Sequence, residues 1–239
     1  MILLIVLIIL VILFVVFILN KNRNTNKVFH EDIEYDFDTN EKRYIVNESG
    51  FAYGEKGEEQ IKQMLDRLDI NEGRCLYNLF VEKRSGRYSE IDAVVISKAG
   101  IFVIESKYFS GKIIGRINYE KWRHVRRNGE VEMVFNPISQ NFVHLKALKD
   151  YLNLDEDDFK SYVVFSNQCS IANVPKNGDN FRVLNTNDLL YLLRKDMRES
   201  VQRFSEYDVV DIYDKLLDCT NVDEEIIKKH TFDVKKIRA

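Results

Sequence analysis

The sequence is poor in residues that break regular structure or cross-link a chain. Its 239 residues include two prolines and three cysteines, and it contains no internal repeat or low-complexity tract. Cys75, Cys169 and Cys219 lie far apart without a C-x-x-C pair, which favours reduced structural thiols over a disulfide framework or a zinc site. The net charge of −3 gives no overall basic signal for nucleic acid, so any such surface must be a local patch.

Charged and polar side chains are absent from the first nineteen residues, MILLIVLIILVILFVVFIL. As a helix, such a segment spans about 28 Å, close to the roughly 30 Å of a bilayer's hydrocarbon core. A cleaved signal peptide would need a basic start, a shorter apolar core and a small-residue cleavage site, and none is visible. Because Lys21, Arg23 and Lys27 follow at once, we predict a single-pass cell-membrane anchor with the C-terminal body in the cytoplasm.

The rest of the chain divides by composition. Residues 28–41 hold six acids and no lysine or arginine, as expected of a solvated tether beside a membrane. From about residue 198 onward, acids and apolar residues alternate at helical spacing. The predicted parts are a transmembrane helix over 1–20, an acidic juxtamembrane linker over 21–47, an α/β domain over 48–197 and a helical extension over 198–239.

Apolar periodicity within the body indicates the order helix, strands, helix, strand, helix, which predicts an α/β fold with a mixed sheet flanked by helices. The helices are predicted in GFAYGEKGEEQIKQMLDRL, NPISQNFVHLKALKDYL and TNDLLYLLRKD. The strands are predicted in CLYNLFVEK, both halves of EIDAVVISKAGIFVIESK, GKIIGRI, the hairpin EKWRHVRRNGEVEMVF and SYVVFS. Asn128-Gly129 is expected at the turn of that hairpin, and Thr186 or Asn187 as the N-cap of the third helix.

The segment EIDAVVISKAGIFVIESK, residues 90–107, interrupts buried strand patterns with Asp92, Glu105 and Lys107. Burying a charge costs several kcal/mol unless the charge is paired or binds a metal. Because side chains alternate along a strand, Glu105 and Lys107 share one face. The position of Asp92 relative to them depends on the turn.

Three turns are compatible with this hairpin. A two-residue turn at Lys98-Ala99 would place Asp92 opposite Glu105, and one at Ala99-Gly100 would place it opposite Lys107. Either turn gathers the three polar groups on one face. A three-residue loop would instead pair Asp92 with Ser106 and separate the groups.

Two carboxylates with Cβ atoms about 5 Å apart repel each other unless a divalent cation lies between them. Hard oxygen ligands of this kind suit Mg²⁺ or Mn²⁺. A lysine beside them could orient or help deprotonate a metal-bound water, or neutralise charge on a phosphate. The alternative is a structural ion pair across the strands, which the short pattern alone does not exclude.

Two helices offer further candidates. Glu58 begins the buried face of the first helix, and Gly54 and Gly57 let its backbone approach another element. The alternative is an acid near a helix N-terminus, stabilised by the macrodipole. Gln140 and His144 share a face of the second helix and could contact phosphate, although His144 also fits a satisfied polar residue beside a core.

These motifs carry a resemblance to a known family. GEKGEEQI, EIDAVVISKAGIFVIESKYFSGKIIG, Trp122 and NPISQN resemble the nuclease-related domain, often called NERD, over roughly residues 50 to 150. The resemblance implies a restriction-endonuclease-like fold of the PD-(D/E)xK nuclease-like superfamily. In this sequence Ile91 stands where the superfamily has a proline before the aspartate.

The resemblance also implies roles for individual residues. Asp92, Glu105 and Glu58 would hold Mg²⁺ or Mn²⁺, and Glu105 and Lys107 would form the E-x-K pair. Gln140 matches the glutamine of the following helix, so that all five would belong to the catalytic site.

The stretch RINYEKWRHVRR, residues 116–127, carries five lysine or arginine residues against one glutamate, with aromatic residues between them. This composition suits a surface that follows a nucleic-acid backbone and stacks a base. The alternative is a solvated hairpin. The predicted nucleic-acid-binding residues are Arg116, Lys121, Trp122, Arg123, Arg126 and Arg127.

The sequence therefore predicts a membrane-anchored, Mg²⁺-dependent or Mn²⁺-dependent nuclease that hydrolyses phosphodiester bonds of DNA or RNA. The main alternative is a catalytically silent, membrane-tethered nucleic-acid-binding or scaffold protein. An adaptor that acts through its C-terminal helices is a third interpretation, and it predicts no metal.

Overall fold

The fold is organised around two β-sheets, which a computed structural model describes over residues 48–236. The strands are β1 (Arg74–Glu82), β2 (Tyr88–Ser97), β3 (Gly100–Lys107), β4 (Gly111–Ile114), β5 (Lys121–Val125), β6 (Val131–Phe135), β7 (Phe159–Phe165), β8 (Cys169–Ala172) and β9 (Phe181–Asn185). The first sheet has the order β1-β2-β3-β7-β9, and the second has the order β6-β5-β4-β8. Both sheets are mixed, because β7 and β9 run parallel in the first and β8 runs parallel to β4 in the second.

Helices cover both faces of the first sheet. They are α1 (Glu48–Leu65), α2 (Pro137–Leu152), α3 (Leu189–Glu199), α4 (Glu206–Leu217) and α5 (Glu224–Lys236). Apolar side chains of α1 and α3 pack with Ala93 and Val95 on one face. Those of α2 and α4 pack with Val94 and Ile96 on the other, as strand alternation requires.

The second sheet buries only one of its faces. Trp122 is 1% exposed and belongs to a core shared with the first turn of α2 and with β7 and β9. Its indole N–H donates to the carbonyl of Arg116 at 2.9 Å. A Cβ at Gly115 would lie 2.3 Å from the indole ring, so glycine is required for this close approach.

The structure confirms the mixed α/β fold with flanking helices, and it corrects the prediction of one sheet. After Lys107 the chain leaves the first sheet and starts β4 at Gly111, whose φ of 95° favours glycine. The prediction of Thr186 or Asn187 as the cap is also wrong, because the Thr186 hydroxyl donates to the carbonyl of Phe165 and the Asn187 side-chain oxygen accepts from Asn167. Asp188 precedes α3 without a side-chain capping bond.

The predicted transmembrane helix over 1–20 and the linker over 21–47 lie outside the described residues. Within residues 48–236, no helix is both long enough and apolar enough to cross a membrane.

Candidate active site

The hairpin between β2 and β3 sets the relative position of the two acids. Its two-residue turn is Lys98-Ala99, the first of the turns considered from sequence. The ladder pairs Ala93 with Ile104, and continuing this register by one residue places Asp92 opposite Glu105. The two carboxylates therefore face each other near the end of β3.

Glu105 is a buried acid with partners on both carboxylate oxygens. It is 2% exposed, and the Lys107 ammonium donates to Oε1 at 2.5 Å. His144 Nε2 lies 3.1 Å from Oε2, while its Nδ1 lies 2.8 Å from the Ser89 hydroxyl oxygen. Burial raises the pKa of Glu105, but the nearby Lys107 charge and the His144 hydrogen bond outweigh it and hold the pKa below its ordinary value. Glu105 is therefore ionised at neutral pH.

Lys107 joins Glu105 to the second helix. Its ammonium also donates to Gln140 Oε1 at 3.1 Å. Gln140 lies in the first turn of α2, where the Asn136 side chain caps the helix and Pro137 occupies the first turn. The same Asn136 amide donates to two carbonyls in the loop between β4 and β5. Asn136 and Pro137 therefore fix where α2 begins, and with it the position of Gln140 beside Lys107.

The pKa of Asp92 is shifted in the opposite direction from that of Glu105. Its Oδ2 accepts the backbone N–H of Ser106 at 2.6 Å. Burial raises the pKa of Asp92 well above its usual value, and the charge of Glu105 raises it further. Lys107 and the Ser106 bond oppose this shift without cancelling it, and Glu58 adds to it. Two facing acids with pKa values pushed apart are typical of catalytic carboxylate pairs.

Glu58 approaches this pair from α1. The helix begins at Glu48, so Glu58 lies well inside it and the macrodipole does not explain its position. The adjacent Gly57 packs tightly, since a Cβ there would lie 2.9 Å from the Ser106 hydroxyl and 3.0 Å from the Tyr108 Cβ. This close approach agrees with the role expected of Gly57 and brings the charge of Glu58 to Asp92.

The acids of this site fit a divalent cation that keeps most of its waters. Among residues 56–231, whose side chains the structure describes, no group of three or more His, Cys, Asp and Glu side chains is arranged to hold a metal ion. Mg²⁺, however, usually keeps several waters and is bound through one or two carboxylates. Asp92 and Glu105 fit that requirement, and the repulsion that raises the pKa of Asp92 is the kind that a cation relieves.

The side chain of Trp122 does not face solvent. An indole that is 1% exposed and hydrogen-bonded to the main chain cannot stack on a base, so we exclude Trp122 from the candidate nucleic-acid surface. Arg126 donates to Glu132 Oε2 at 2.7 Å. The Arg116 guanidinium lies 5.7 Å from the centre of the Tyr119 ring.

Sequence reasoning missed two features beside the acids. Ser89 is fully buried and contacts His144, although the two are 55 positions apart. Asn78 on β1 has a φ of 52° and lies opposite Asp92 on β2. The β1–β2 ladder is interrupted there, between the Tyr77–Ala93 and Leu79–Ile91 pairs. A non-glycine residue at positive φ is uncommon and often marks a functional region. Neither feature has a signal in the sequence.

His144 allows a first prediction. We expect His144→Leu to lower the free energy of unfolding by about 1–3 kcal/mol, because it leaves one oxygen of a buried, ionised carboxylate without a donor. His144→Gln should recover much of this loss, since its amide N–H₂ can donate to Glu105. Urea denaturation of both variants at pH 7 tests this. Equal losses for Gln and Leu would mean that the hydrogen bond contributes nothing.

Comparison with known proteins agrees with the resemblance seen in the sequence. Residues 53–166 match the nuclease-related domain family, and all five candidate catalytic residues lie within them. An uncharacterized protein of Bacillus anthracis, pXO1-01, is 31% identical over 179 residues, which cover 74% of this chain and 81% of that protein. A crystal structure of a protein of unknown function, AF1548, overlaps 77% of this chain and 98% of its own at 10% identity and a TM-score of 0.28, too weak a likeness to carry an argument.

The chain belongs to the nuclease-related domain family. Membership points to a nuclease-like function and leaves the substrate and the reaction to the site.

Proposed function

We propose that the protein is a metal-dependent nuclease that hydrolyses phosphodiester bonds of DNA or RNA. The observation that carries this proposal is the convergence of Asp92, Glu105 and Lys107 with Gln140 in a nuclease-related domain. A purely structural ion pair would not need a second, partly buried acid beside it whose pKa is raised.

Each residue has a role in this mechanism. Asp92 and Glu105, with Glu58 beside them, would hold Mg²⁺ or Mn²⁺, which when bound lowers the pKa of a water and neutralises charge on phosphate. Lys107 orients the attacking water and stabilises the charge that develops on the phosphate. Gln140 holds the Lys107 ammonium through its amide oxygen. His144 keeps Glu105 in place.

A second function, nucleic-acid binding without turnover, is favoured by one specific observation. Both oxygens of Glu105 already contact other side chains, Lys107 at one and His144 at the other. A fold that keeps these contacts permanently would bind a strand without cleaving it.

A cleavage assay separates the two functions. The purified protein is incubated with single-stranded and duplex DNA and RNA in the presence of Mg²⁺, Mn²⁺ or EDTA. The proposed nuclease should produce fragments only with a divalent metal. Binding without fragments in every metal condition would support the second function and refute the first.

We further propose that residues 1–20 anchor the protein as a single-pass cell-membrane protein with the nuclease-related domain in the cytoplasm, as Lys21, Arg23 and Lys27 indicate. Protease added outside intact cells should then leave the domain uncut. Permeabilised cells are the control, in which the same protease should digest it. Digestion of the domain in intact cells would place it outside and contradict the orientation.

A further inference from the structure

The second sheet has an outer face that nothing in the described chain covers. Side chains of β5 alternate between Trp122 and His124, which are buried, and Arg123, which is exposed. On the neighbouring strand β6, Val131 is 52% exposed and Met133 is 53% exposed. One face of this sheet therefore packs on the core, and the other meets solvent.

The outer face combines cations with apolar side chains and lacks acids. Arg123 on β5 pairs with Met133 on β6. In the neighbouring row of paired residues, Lys112 on β4 pairs with Val125, which pairs with Val131 on β6. Lys121 is the other cation of β5 on this face. The outward positions of β4, β5 and β6 include no aspartate or glutamate, whereas Glu132 points the other way and bonds His124.

The cations of this face are also without charged partners among the side chains that the structure describes. Over residues 56–231, Lys112, Lys121 and Arg123 make no ion pair or side-chain hydrogen bond. Exposed cations elsewhere commonly do, as Lys62 does with Asp66 and Arg84 with Asp150. Three cations close together without acids repel each other, and a polyanion relieves that repulsion.

We propose that this outer face binds a single strand of nucleic acid, with Lys112, Lys121 and Arg123 on its phosphates and Val131 and Met133 against its unpaired bases. The proposal rests on the nuclease function proposed above and specifies the form of its substrate. Cations along a backbone combined with apolar contacts to base faces are how proteins bind single strands without sequence preference. The planar guanidinium of Arg123 can also stack on a base.

A duplex fits this face poorly. Four strands spaced by about 4.8 Å make a sheet roughly 14 Å across, whereas the major groove is about 12 Å wide and admits a helix or a two-stranded ribbon. The face therefore could not reach the bases of a duplex. Val131 and Met133 would be left against phosphates, which cannot cover apolar surface.

An anionic membrane surface is the competing partner, and the arrangement of the face argues against it. Arg123 lies in the same row as Met133, so the apolar side chain does not project beyond the cation. Inserting Met133 into lipid would take the guanidinium toward the hydrocarbon, which is unfavourable.

The test uses the full chain in discs of neutral lipid, with EDTA present so that binding is measured without cleavage. Probes are labelled single strands of about 20 nucleotides, of DNA and of RNA, and the matching duplexes. The variant replaces Lys112, Lys121 and Arg123 by glutamine. The matched control replaces Lys146, Lys176 and Arg198, which are exposed cations elsewhere on the domain, so the loss of charge is equal.

At about 0.1 M salt we expect the variant to bind single strands about a hundredfold more weakly, with the log–log salt slope reduced by about 2, because each single-strand phosphate contact contributes about 0.7. The control should change little. Met133→Ser should weaken binding without changing the slope. Hydrogen exchange should show protection of residues 121–135 when the strand binds.

Several results would overturn the inference. These are an equal loss in the control, a duplex that binds as tightly as the strand, no single-strand binding by the parent, or protection of 121–135 by anionic lipid discs alone. Cleavage is assayed separately in Mg²⁺. If the strand binds this face but is not cleaved, the binding surface is supported and the nuclease function is refuted. If cutting occurs and binding ignores the three cations, the surface alone is refuted.

Discussion

Asp92→Asn is expected to reduce cleavage by about a thousandfold or more, which corresponds to roughly 4 kcal/mol of transition-state stabilisation. The same substitution should leave the metal-free fold at least as stable as the parent. Burial and the charge of Glu105 raise the pKa of Asp92, so its ionised form is a cost to the folded state. Asparagine removes that charge and can still accept the N–H of Ser106.

The size of this stabilisation depends on pH, while its sign stays the same. An acid whose pKa is raised on folding costs nothing below its ordinary pKa of about 3.9, where both states are protonated. The cost grows as the pH rises from that value to the raised pKa. The stability of Asp92→Asn relative to the parent should therefore increase from about pH 4 upward.

Urea denaturation between pH 4 and pH 8, together with the cleavage assay, measures both effects. Asp66→Asn is the control, because Asp66 is an exposed partner of Lys62 away from the site, and it should cleave normally. If Asp92 served instead as an ionic partner of Lys107, Asp92→Asn would show the opposite pattern, with a loss of about 3–5 kcal/mol in the metal-free protein. That loss would contradict the assignment of Asp92.

Lys107→Met should have the opposite effect on stability. It removes the cation that bonds buried Glu105, and breaking one side of a buried pair costs about 3–5 kcal/mol. The pKa of Glu105 is lowered in the folded state, so the stabilisation is present above the ordinary value of about 4.3 and is lost as the pH falls through the lowered pKa. The difference between variant and parent should accordingly shrink in acid.

Cleavage by Lys107→Met should fall by at least about a hundredfold, in line with the loss of a preorganised charge stabiliser. Lys107→Arg is the matched control. It keeps the charge beside Glu105 and should recover most of the stability, while its different shape should leave cleavage impaired. Cleavage at the parental rate in Lys107→Met would remove the lysine from the mechanism.

The sequence could predict the acidic hairpin because the contacts within it are local. Alternation along a strand has a period of two, so Glu105 and Lys107 had to share a face. Only the turn was open, and the structure shows Lys98-Ala99 followed by Gly100 with a φ of 129°. Gly57 was likewise predictable, because a glycine on a buried helical face signals a close approach.

The contacts made across the fold could not be predicted in the same way. His144 reaches Glu105 over 39 positions and Ser89 over 55, and no periodicity encodes such a meeting. The short strands β8 and β9 pair in parallel with distant segments, which a local pattern does not show. The composition around Trp122 predicted that its ring would stack on a base. Its burial depends instead on how the second sheet packs against the core.

The most direct test of the central claim is thermal unfolding of the purified protein with and without Mn²⁺. A ligand at about 100 times its dissociation constant stabilises a native protein by about 2.7 kcal/mol. For a protein of this size, that shifts the melting temperature by roughly 5–10 °C. We predict such a rise for the parent and for Lys107→Arg, and none for Asp92→Asn. A parent that does not respond to millimolar Mn²⁺, or an Asp92→Asn variant that responds as strongly, would contradict a metal site at Asp92 and Glu105.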